Sequence, residues 1–505
     1  MKVNILIGGK AGQGINKVSE IVSKILSGLG YFTFNYRDYQ SLIRGGHNFN
    51  ILSFSDEWIA SNESKVDFIV AMDKETINLH KKDLKKTGEI ISFEKFKEQG
   101  QNLNITLAGS LIKILGIDKN LLLEEIKKFP GAEKAAEHGY SLEKIKLKLK
   151  KLNNKIHTIS GAYGTALGAI KSGLDLYISY PMTPATSLGT YLADKQIENN
   201  LVVFQPENET AGINQALGAS FSGAKVMIGT SGGGFDLMTE GLSMAGQAEL
   251  PVVVYLASRP GPSTGIPTYT SQDDLECALR AGHGEFPRIV CAPGDAIESE
   301  EKTNELFYLT QKYNCPAILL TDKHLAEGEF SVSKKTNETI PVKINRKIPG
   351  KDIVKTSSYE HDLQGNTVET EEEVNKNALA RLEKYSKIKK EIENLEPVKI
   401  YGKTSSKNLI VSFGSTKGAI LNSIEGLDCK FMQILYLKPM SDKIKQEMQK
   451  AKNIILIEQN LTGQLGRLLR EKTGISIPEK NRILKFDGRP FFCDKLKDEI
   501  KRRLK

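Results

Sequence analysis

The sequence predicts an α/β protein of three domains with mainly parallel sheets. Three observations carry the prediction. Short apolar runs of the buried-strand kind alternate with helical patterns along most of the chain. At 505 residues the chain is too long for a single core. Its composition, 39% hydrophobic and 26% charged, is that of an ordinary globular protein.

A first α/β domain is expected over residues 1–150. Val3-Asn-Ile-Leu-Ile reads as a strand, followed by a Gly loop and a helix from Lys17 to about Leu29. Tyr31–Tyr36, Asp67–Met72 and Glu89–Phe93 read as further strands. The Lys-rich stretch Lys144–Lys155 is the expected linker. A second domain, 156–330, repeats the alternation with more small residues. Its strands are Leu174–Ser179, Val202–Phe204, Lys225–Gly229, Val252–Ala257, Arg288–Ala292 and Ala317–Thr321. Residues 331–400 turn polar, with Asn337, Asn345 and an acidic run at Glu369–Glu373. They end in a helical pattern from Glu373 to Leu395 and read as a connecting segment. Residues 401–505 form a last α/β unit with strands at Asn408–Gly414, Phe431–Leu437 and Asn453–Glu458.

Composition excludes several classes. No apolar run reaches the roughly 20 residues that span a bilayer. Met1-Lys-Val-Asn-Ile-Leu-Ile enters a strand at once and is no signal peptide, so a cytoplasmic, membrane-free protein is expected. The net charge of +9 has part of its excess in Lys144–Leu152 and Lys501–Lys505. Aromatics for base stacking are not interleaved there, so no nucleic-acid partner is expected. A solvated surface, or one facing an acidic partner or anionic substrate, fits better. The five cysteines, at 277, 291, 315, 429 and 493, stand far apart. An iron–sulfur cluster needs thiolates at short spacing, so none is expected on this chain, nor is a disulfide framework.

The chemistry lies in four segments of the second domain. Tyr180-Pro-Met-Thr-Pro brackets Thr183 with two prolines, which stiffens the backbone around one hydroxyl at a strand end. Gln205-Pro-Glu-Asn-Glu-Thr-Ala-Gly places Glu207 and Glu209 before a small-residue helix. Gly229-Thr-Ser-Gly-Gly-Gly-Phe is a Gly turn, and Ser258-Arg-Pro-Gly-Pro-Ser-Thr-Gly puts Arg259 after an apolar strand. In this order they resemble the alpha subunit of 2-oxoacid:ferredoxin oxidoreductases, with Met182 where the family signature has Ile. Gly8-Gly-Lys-Ala-Gly-Gln-Gly-Ile and Ile43-Arg-Gly-Gly-His-Asn resemble the family's gamma subunit, fused in front.

The resemblance implies a thiamine diphosphate enzyme that converts a 2-oxoacid and coenzyme A to acyl-coenzyme A and carbon dioxide, reducing ferredoxin. This chain would hold the pyrimidine half of the cofactor. Glu209 matches the catalytic glutamate that bonds a ring nitrogen, a role suited to a poorly hydrated pocket. By residue type alone, Glu207 and Glu209 read better as solvated acids at a helix N-terminus; the motif reverses that for Glu209, and Glu207 keeps it. Thr183 and Arg259 match the contacts to the substrate carboxylate; an Arg fork suits that job. Gly232 and Gly233 would let backbone approach the cofactor. The gamma-like domain implies coenzyme A contacts at Gly12, Gly14 and Lys17, against the alternative of a plain strand-to-helix turn. The family's Gly-Asp-Gly motif for Mg²⁺ is missing, since Gly294-Asp295-Ala296 lacks the second Gly. Mg²⁺ and the [4Fe-4S] cluster are therefore assigned to a separate beta subunit. Fusion order points to 2-oxoglutarate, with pyruvate and branched-chain 2-oxoacids as alternatives.

Two other classes compete. Gly229-Thr-Ser-Gly-Gly fits the nucleophile elbow of an α/β hydrolase with Ser231, and Asp273 and His283 follow in hydrolase order. The Gly12-Gln-Gly14 loop, with Asp38 as ribose acid, suggests a nucleotide-binding module, although Lys17 stands where a third glycine belongs. His47 is given no catalytic role.

Overall fold

A computed structural model describes residues 1–41, 46–129, 131–333, 336 and 338–504. Ile43, Arg44 and Gly45 of the signature Ile43–Asn48, together with Asn337 and Lys505, lie outside the described residues. In chain order the first strands are β1 (Lys2–Lys10), β2 (Phe32–Asp38), β3 (His47–Ser55), β4 (Val66–Ala71), β5 (Leu84–Ser92) and β6 (His157–Ser160). Then come β7 (Leu176–Ile178), β8 (Val202–Phe204), β9 (Val226–Thr230), β10 (Val252–Ser258), β11 (Ile289–Cys291), β12 (Pro316–Asp322) and β13 (Glu329–Val332). The last are β14 (Val398–Gly402), β15 (Asn408–Phe413), β16 (Lys430–Ile434), β17 (Tyr436–Lys438), β18 (Asn453–Glu458) and β19 (Arg482–Leu484).

Two compact units result, one of Met1–Ile159 with Gly328–Lys334 and Phe491–Lys497, the other of the remaining chain. The first unit has one sheet, in the order β5-β4-β1-β3-β2-β13-β6. β1 pairs with β4, and β4 with β5, in parallel. β3 runs antiparallel to both β1 and β2. The apolar pattern gives no hint of β3, because its buried positions include Asn50 and Ser53. Their hydrogen bonds go to Ser19 Oγ (2.6 Å) and Asn4 Oδ1 (2.5 Å). A satisfied polar pair hides a strand from hydropathy. The helix Ile15–Gly28 covers this sheet with Ile15, Val18, Val22, Ile25 and Leu26, the spacing of one helical face. Residues 143–156 carry no helix or strand, yet Leu147, Leu149 and Leu152 pack on this core while the intervening lysines face out.

In the second unit the larger sheet runs β17-β11-β12-β10-β9-β7-β8. Every pair is parallel except β17 with β11. β10 shows why a continuous apolar run suits a sheet covered on both faces. Val252, Val254 and Leu256 enter one core, and Val253, Tyr255 and Ala257 the other. Each fully buried Val or Leu contributes about 1.5–3 kcal/mol. The smaller sheet runs β14-β16-β15-β18-β19, parallel except for β14.

Phe431–Leu437, expected as one strand, is two. The chain breaks step at Leu435, whose carbonyl accepts from Ala292 N (2.8 Å) and whose N–H donates to Pro397 O (2.9 Å). β16 stays in the smaller sheet, and β17 leaves to become the edge of the larger one. All residues of Phe431–Leu437 are buried, so hydropathy alone cannot place the break. Further bonds tie the two sheets. Gln272 Nε2 donates to Phe413 O (2.8 Å), and Lys417 Nζ binds Glu298 (2.6 Å) and Asp295. Burial pushes the Glu298 carboxyl up, but Lys417 and Lys399 outweigh it and bring it down to about 2. Asp295, the acid of the incomplete Gly-Asp motif, also caps the helix Ala296–Tyr313 by accepting from Glu298 N (2.9 Å). Among the described residues no helix is long and apolar enough to cross a membrane.

Candidate active site

The order β8-β7-β9-β10 sets the C-terminal ends of four parallel strands side by side. Each end runs into one of the four sequence motifs: Gln205 after β8, Tyr180 after β7, Ser231 after β9 and Arg259 after β10. Ligands of open α/β sheets bind at this edge.

Glu209 is the first residue of the helix Glu209–Phe221, which Asn208 caps by accepting from Ala211 N (2.9 Å). Glu209 is 4% exposed, whereas Glu207 lies in solvent. One of two acids of similar sequence context is thus withdrawn from water. Beside it passes Gly234. A Cβ there would stand 2.3 Å from Glu209 Oε1 and 2.2 Å from Thr230 Oγ1. The glycine run is therefore needed for Glu209 to hold its place. Gly232 is equally tight against Asp274, whose Oδ1 would stand 2.5 Å from a Cβ, while Gly233 meets only Ser263 O at 3.6 Å.

Thr183 and Arg259 are brought together, through the backbone of Thr183. Arg259 Nη1 donates to the Thr183 carbonyl (2.7 Å), and Nε is buried without a partner. Burial lowers the Arg259 pKa, and the carboxylates of Asp274 and then Glu209 oppose it. The guanidinium thus lies in the field of both acids. The loop after Arg259 is folded hard on itself: Ile266 N donates to Pro260 O (3.2 Å), and at Gly265 (φ 54°) a Cβ would stand 1.7 Å from that same oxygen.

Asp274 carries no signal in the sequence. Ser271-Gln-Asp-Asp has no pattern of its own, and only the tertiary fold buries the second acid against the Gly turn. Burial pushes its carboxyl up to about 6; the Ser258 hydroxyl and Arg259 pull the other way, and Asp273 and Asp236 add to the rise. Its Oδ2 has no hydrogen-bond partner. Because the folded pKa exceeds the unfolded one, this proton stabilises the fold at low pH, and the contribution is lost as pH rises through about 6. The rise from 3.8 to about 6 is worth at most about 3 kcal/mol. Asp274→Asn, which cannot ionise, should gain stability relative to wild type between about pH 4 and 7. Thermal unfolding of both proteins across that range checks this; a constant difference in Tm would place the Asp274 pKa elsewhere.

The hydrolase alternative does not survive. Ser231 is fully buried, and its Oγ has no hydrogen-bond partner, so no base activates it. His283, the expected base, is exposed.

In the first unit Gly12 (φ 90°) and Gly14 (φ 86°) shape the turn into the helix Ile15–Gly28. Gly14 abuts Asn104, whose Nδ2 would stand 2.2 Å from a Cβ, and Gly12 has open space. Lys17 lies with Nζ 3.2 Å from the centre of the Phe129 ring. Asp38, the candidate ribose acid, is buried and accepts from Tyr36 Oη (3.0 Å). His47 Nε2 meets His80 Nε2 at 2.8 Å, and burial lowers the pKa of both.

The family model "Pyruvate flavodoxin/ferredoxin oxidoreductase, thiamine diP-bdg" matches residues 167–397, and "Pyruvate ferredoxin/flavodoxin oxidoreductase" matches residues 4–164. The 2-oxoacid:ferredoxin oxidoreductase subunit alpha of Saccharolobus solfataricus is 30% identical, covering 99% of this chain and 98% of its own. The chain belongs to the 2-oxoacid:ferredoxin oxidoreductase alpha-subunit family. The resemblance read from the four motifs is borne out. A 2-oxoglutarate synthase subunit KorA of Methanocaldococcus jannaschii is 29% identical over 62% of this chain and 90% of its own. A solved 2-oxoglutarate:ferredoxin oxidoreductase from Magnetococcus marinus, with 2-oxoglutarate, coenzyme A and succinyl-CoA bound, has a TM-score of 0.89 at 23% identity over all of both chains, which establishes the shared fold. As a 2-oxoacid:ferredoxin oxidoreductase alpha subunit, this chain is part of a multi-subunit enzyme.

Proposed function

We propose that this alpha subunit carries the pyrimidine half of a thiamine diphosphate site centred on Glu209 and acts on 2-oxoglutarate. The observation that carries the reading is that Glu209, Arg259 and Thr183 follow β8, β10 and β7 within one run of four parallel strands, with Glu209 and Arg259 buried. The residues fit such a cofactor. Glycine runs past the Glu209 carboxyl where any Cβ would fill the space, and Ser231 Oγ and Arg259 Nε are buried polar atoms without partners. Gly232 and Gly233 open the short helix Gly232–Asp236 that also holds Gly234. When bound, thiamine diphosphate would supply the electron sink that decarboxylation of a 2-oxoacid requires.

In this reading Glu209 accepts a hydrogen bond from the pyrimidine and holds the proton there. Arg259, held by the Thr183 carbonyl, presents its remaining N–H groups to the substrate carboxylate, with the Thr183 hydroxyl beside it. Support for 2-oxoglutarate comes from the names of the relatives and from the gamma-first fusion. Gly12, Gly14 and Lys17 are proposed for coenzyme A, which requires Lys17 to leave the Phe129 ring.

A beta subunit would cover this sheet edge and bring Mg²⁺, the [4Fe-4S] cluster and the contact with ferredoxin. Phe204 at the end of β8, and Tyr180, Leu237 and Ile266 beyond β7, β9 and β10, are large, apolar and exposed. Exposed apolar residues gathered at one edge suit a partner surface. A cytoplasmic location completes the proposal.

The test is to purify the chain anaerobically, alone and with its partner, and to assay viologen reduction with 2-oxoglutarate and coenzyme A. The chain alone should be colourless and inactive, and the complex should turn over. Iron–sulfur absorbance or turnover by the single chain would sink the split site. Turnover of the complex with pyruvate but not 2-oxoglutarate would overturn the substrate alone.

A further inference from the structure

A second group of cations lies on the larger sheet, around the pairing of β11 with its edge strand β17. Arg288 immediately precedes β11 and is 4% exposed. Its Cζ stands 4.4 Å from the centre of the Phe286 ring, and that ring is wedged against Gly246, where a Cβ would lie 2.3 Å from Phe286 Cγ. The guanidinium plane is thus held in place, while Nε and Nη1 are buried without a hydrogen-bond partner. Lys438 is the last residue of β17 and pairs with Val290 of β11. Its Nζ donates to Leu279 O (2.9 Å), which leaves two of its three N–H groups for other partners.

The charges around this pair do not balance. Arg280 and Lys472 also face Lys438, and Glu471 is the carboxylate among them. Glu471 is already taken, by Arg280 and by Lys472 (3.0 Å). Burial and the neighbouring cations bring the Lys438 ammonium down to about 8, and burial brings Arg288 down to about 10. Two cations at paired strands that feel one another and are withdrawn from water are unfavourable by Coulomb repulsion and by desolvation. Folds keep such groups when an anion compensates them.

We propose that Arg288 and Lys438 form a binding site for a phosphate group, separate in its residues from the Glu209–Arg259 site. A planar, ring-stacked guanidinium with an ammonium on the neighbouring strand is a fork plus a point charge, the combination that grips a tetrahedral oxyanion. Cations gathered around a buried guanidinium suit a dianion better than a carboxylate's single charge. The phosphate is either free or part of a small phosphate ester, which reaches Lys438 past the exposed Arg280 and Lys472.

Calorimetric titration of the full chain and of the assembled complex with inorganic phosphate, and separately with glycerol phosphate, tests this at fixed ionic strength. Saturable binding of one equivalent is expected, weakened about tenfold or more in Lys438→Met, which loses a charge-assisted bond. Tighter binding of glycerol phosphate than of inorganic phosphate would assign the site to esters, and the reverse to the free ion. Arg288→Met should also abolish binding, and in phosphate-free buffer it should unfold at no lower temperature than wild type, since it removes an uncompensated buried charge. Should Arg288→Met fail to fold, Lys438→Met decides. Equal affinity in wild type and Lys438→Met, or no saturable heat, would overturn the site. Binding by the isolated chain that vanishes in the complex would overturn it too, by assigning the cations to a carboxylate of a partner subunit.

Discussion

Glu209→Gln in the complete complex should abolish proton–deuterium exchange at the thiazolium carbon of thiamine diphosphate. The substitution is nearly isosteric, so the contact with Gly234 and the helix start at Asn208 persist. What is lost is a group that can carry a proton. General acid–base help of this kind is worth about 10²–10⁴-fold. Burial sharpens the expectation: with Glu209 at 4% exposure, little water is at hand to substitute for it. Exchange is followed by NMR on acid-quenched cofactor, which reads activation apart from electron transfer. Exchange at the wild-type rate would mean that another group activates the cofactor, and Asp274, packed against the same glycine run, would be the first to examine.

The second large effect is expected at Arg259. Arg259→Lys keeps the charge, but the ammonium cannot both reach the Thr183 carbonyl and present a fork to a carboxylate. A lost charge-assisted hydrogen bond costs about 1.5–3 kcal/mol, or roughly 10–10²-fold in kcat/KM for the oxoacid. Coenzyme A kinetics should change little. An unaltered kcat/KM for every oxoacid tested would place Arg259 outside the site. The replacement should not collapse the loop, because Ile266 and Pro260 hold it through backbone contacts that do not involve Arg259.

These residues are legible because their chemistry is written in local order. Thr183 between two prolines, Glu209 at a helix start and Arg259 after an apolar strand each follow from a few neighbouring letters. What stays hidden depends on distant contacts. β3 escapes the apolar pattern because Asn50 and Ser53 are buried and satisfied by Ser19 and Asn4. The division of Phe431–Leu437 is invisible because every residue of the run is apolar or buried whichever sheet takes it. Asp274 and Arg288 carry no chemical signal in sequence, and their weight comes from segments elsewhere in the chain. The Ser231 elbow misleads in the opposite direction, since its five letters fit a nucleophile that the fold leaves without a base.

The hand-over of β17 limits how this subunit can be recombined. A junction placed between residues 395 and 401 looks clean in sequence, just after the helix Glu371–Ile392. Cutting there would send an edge strand of the larger sheet away with the C-terminal portion, together with Phe413 and Lys417, which Gln272, Glu298 and Asp295 need as partners. Chimaeras that exchange only the C-terminal portion between relatives would therefore transplant part of the larger sheet as well. Residues 160–327 and 398–490 are best inherited as one cassette.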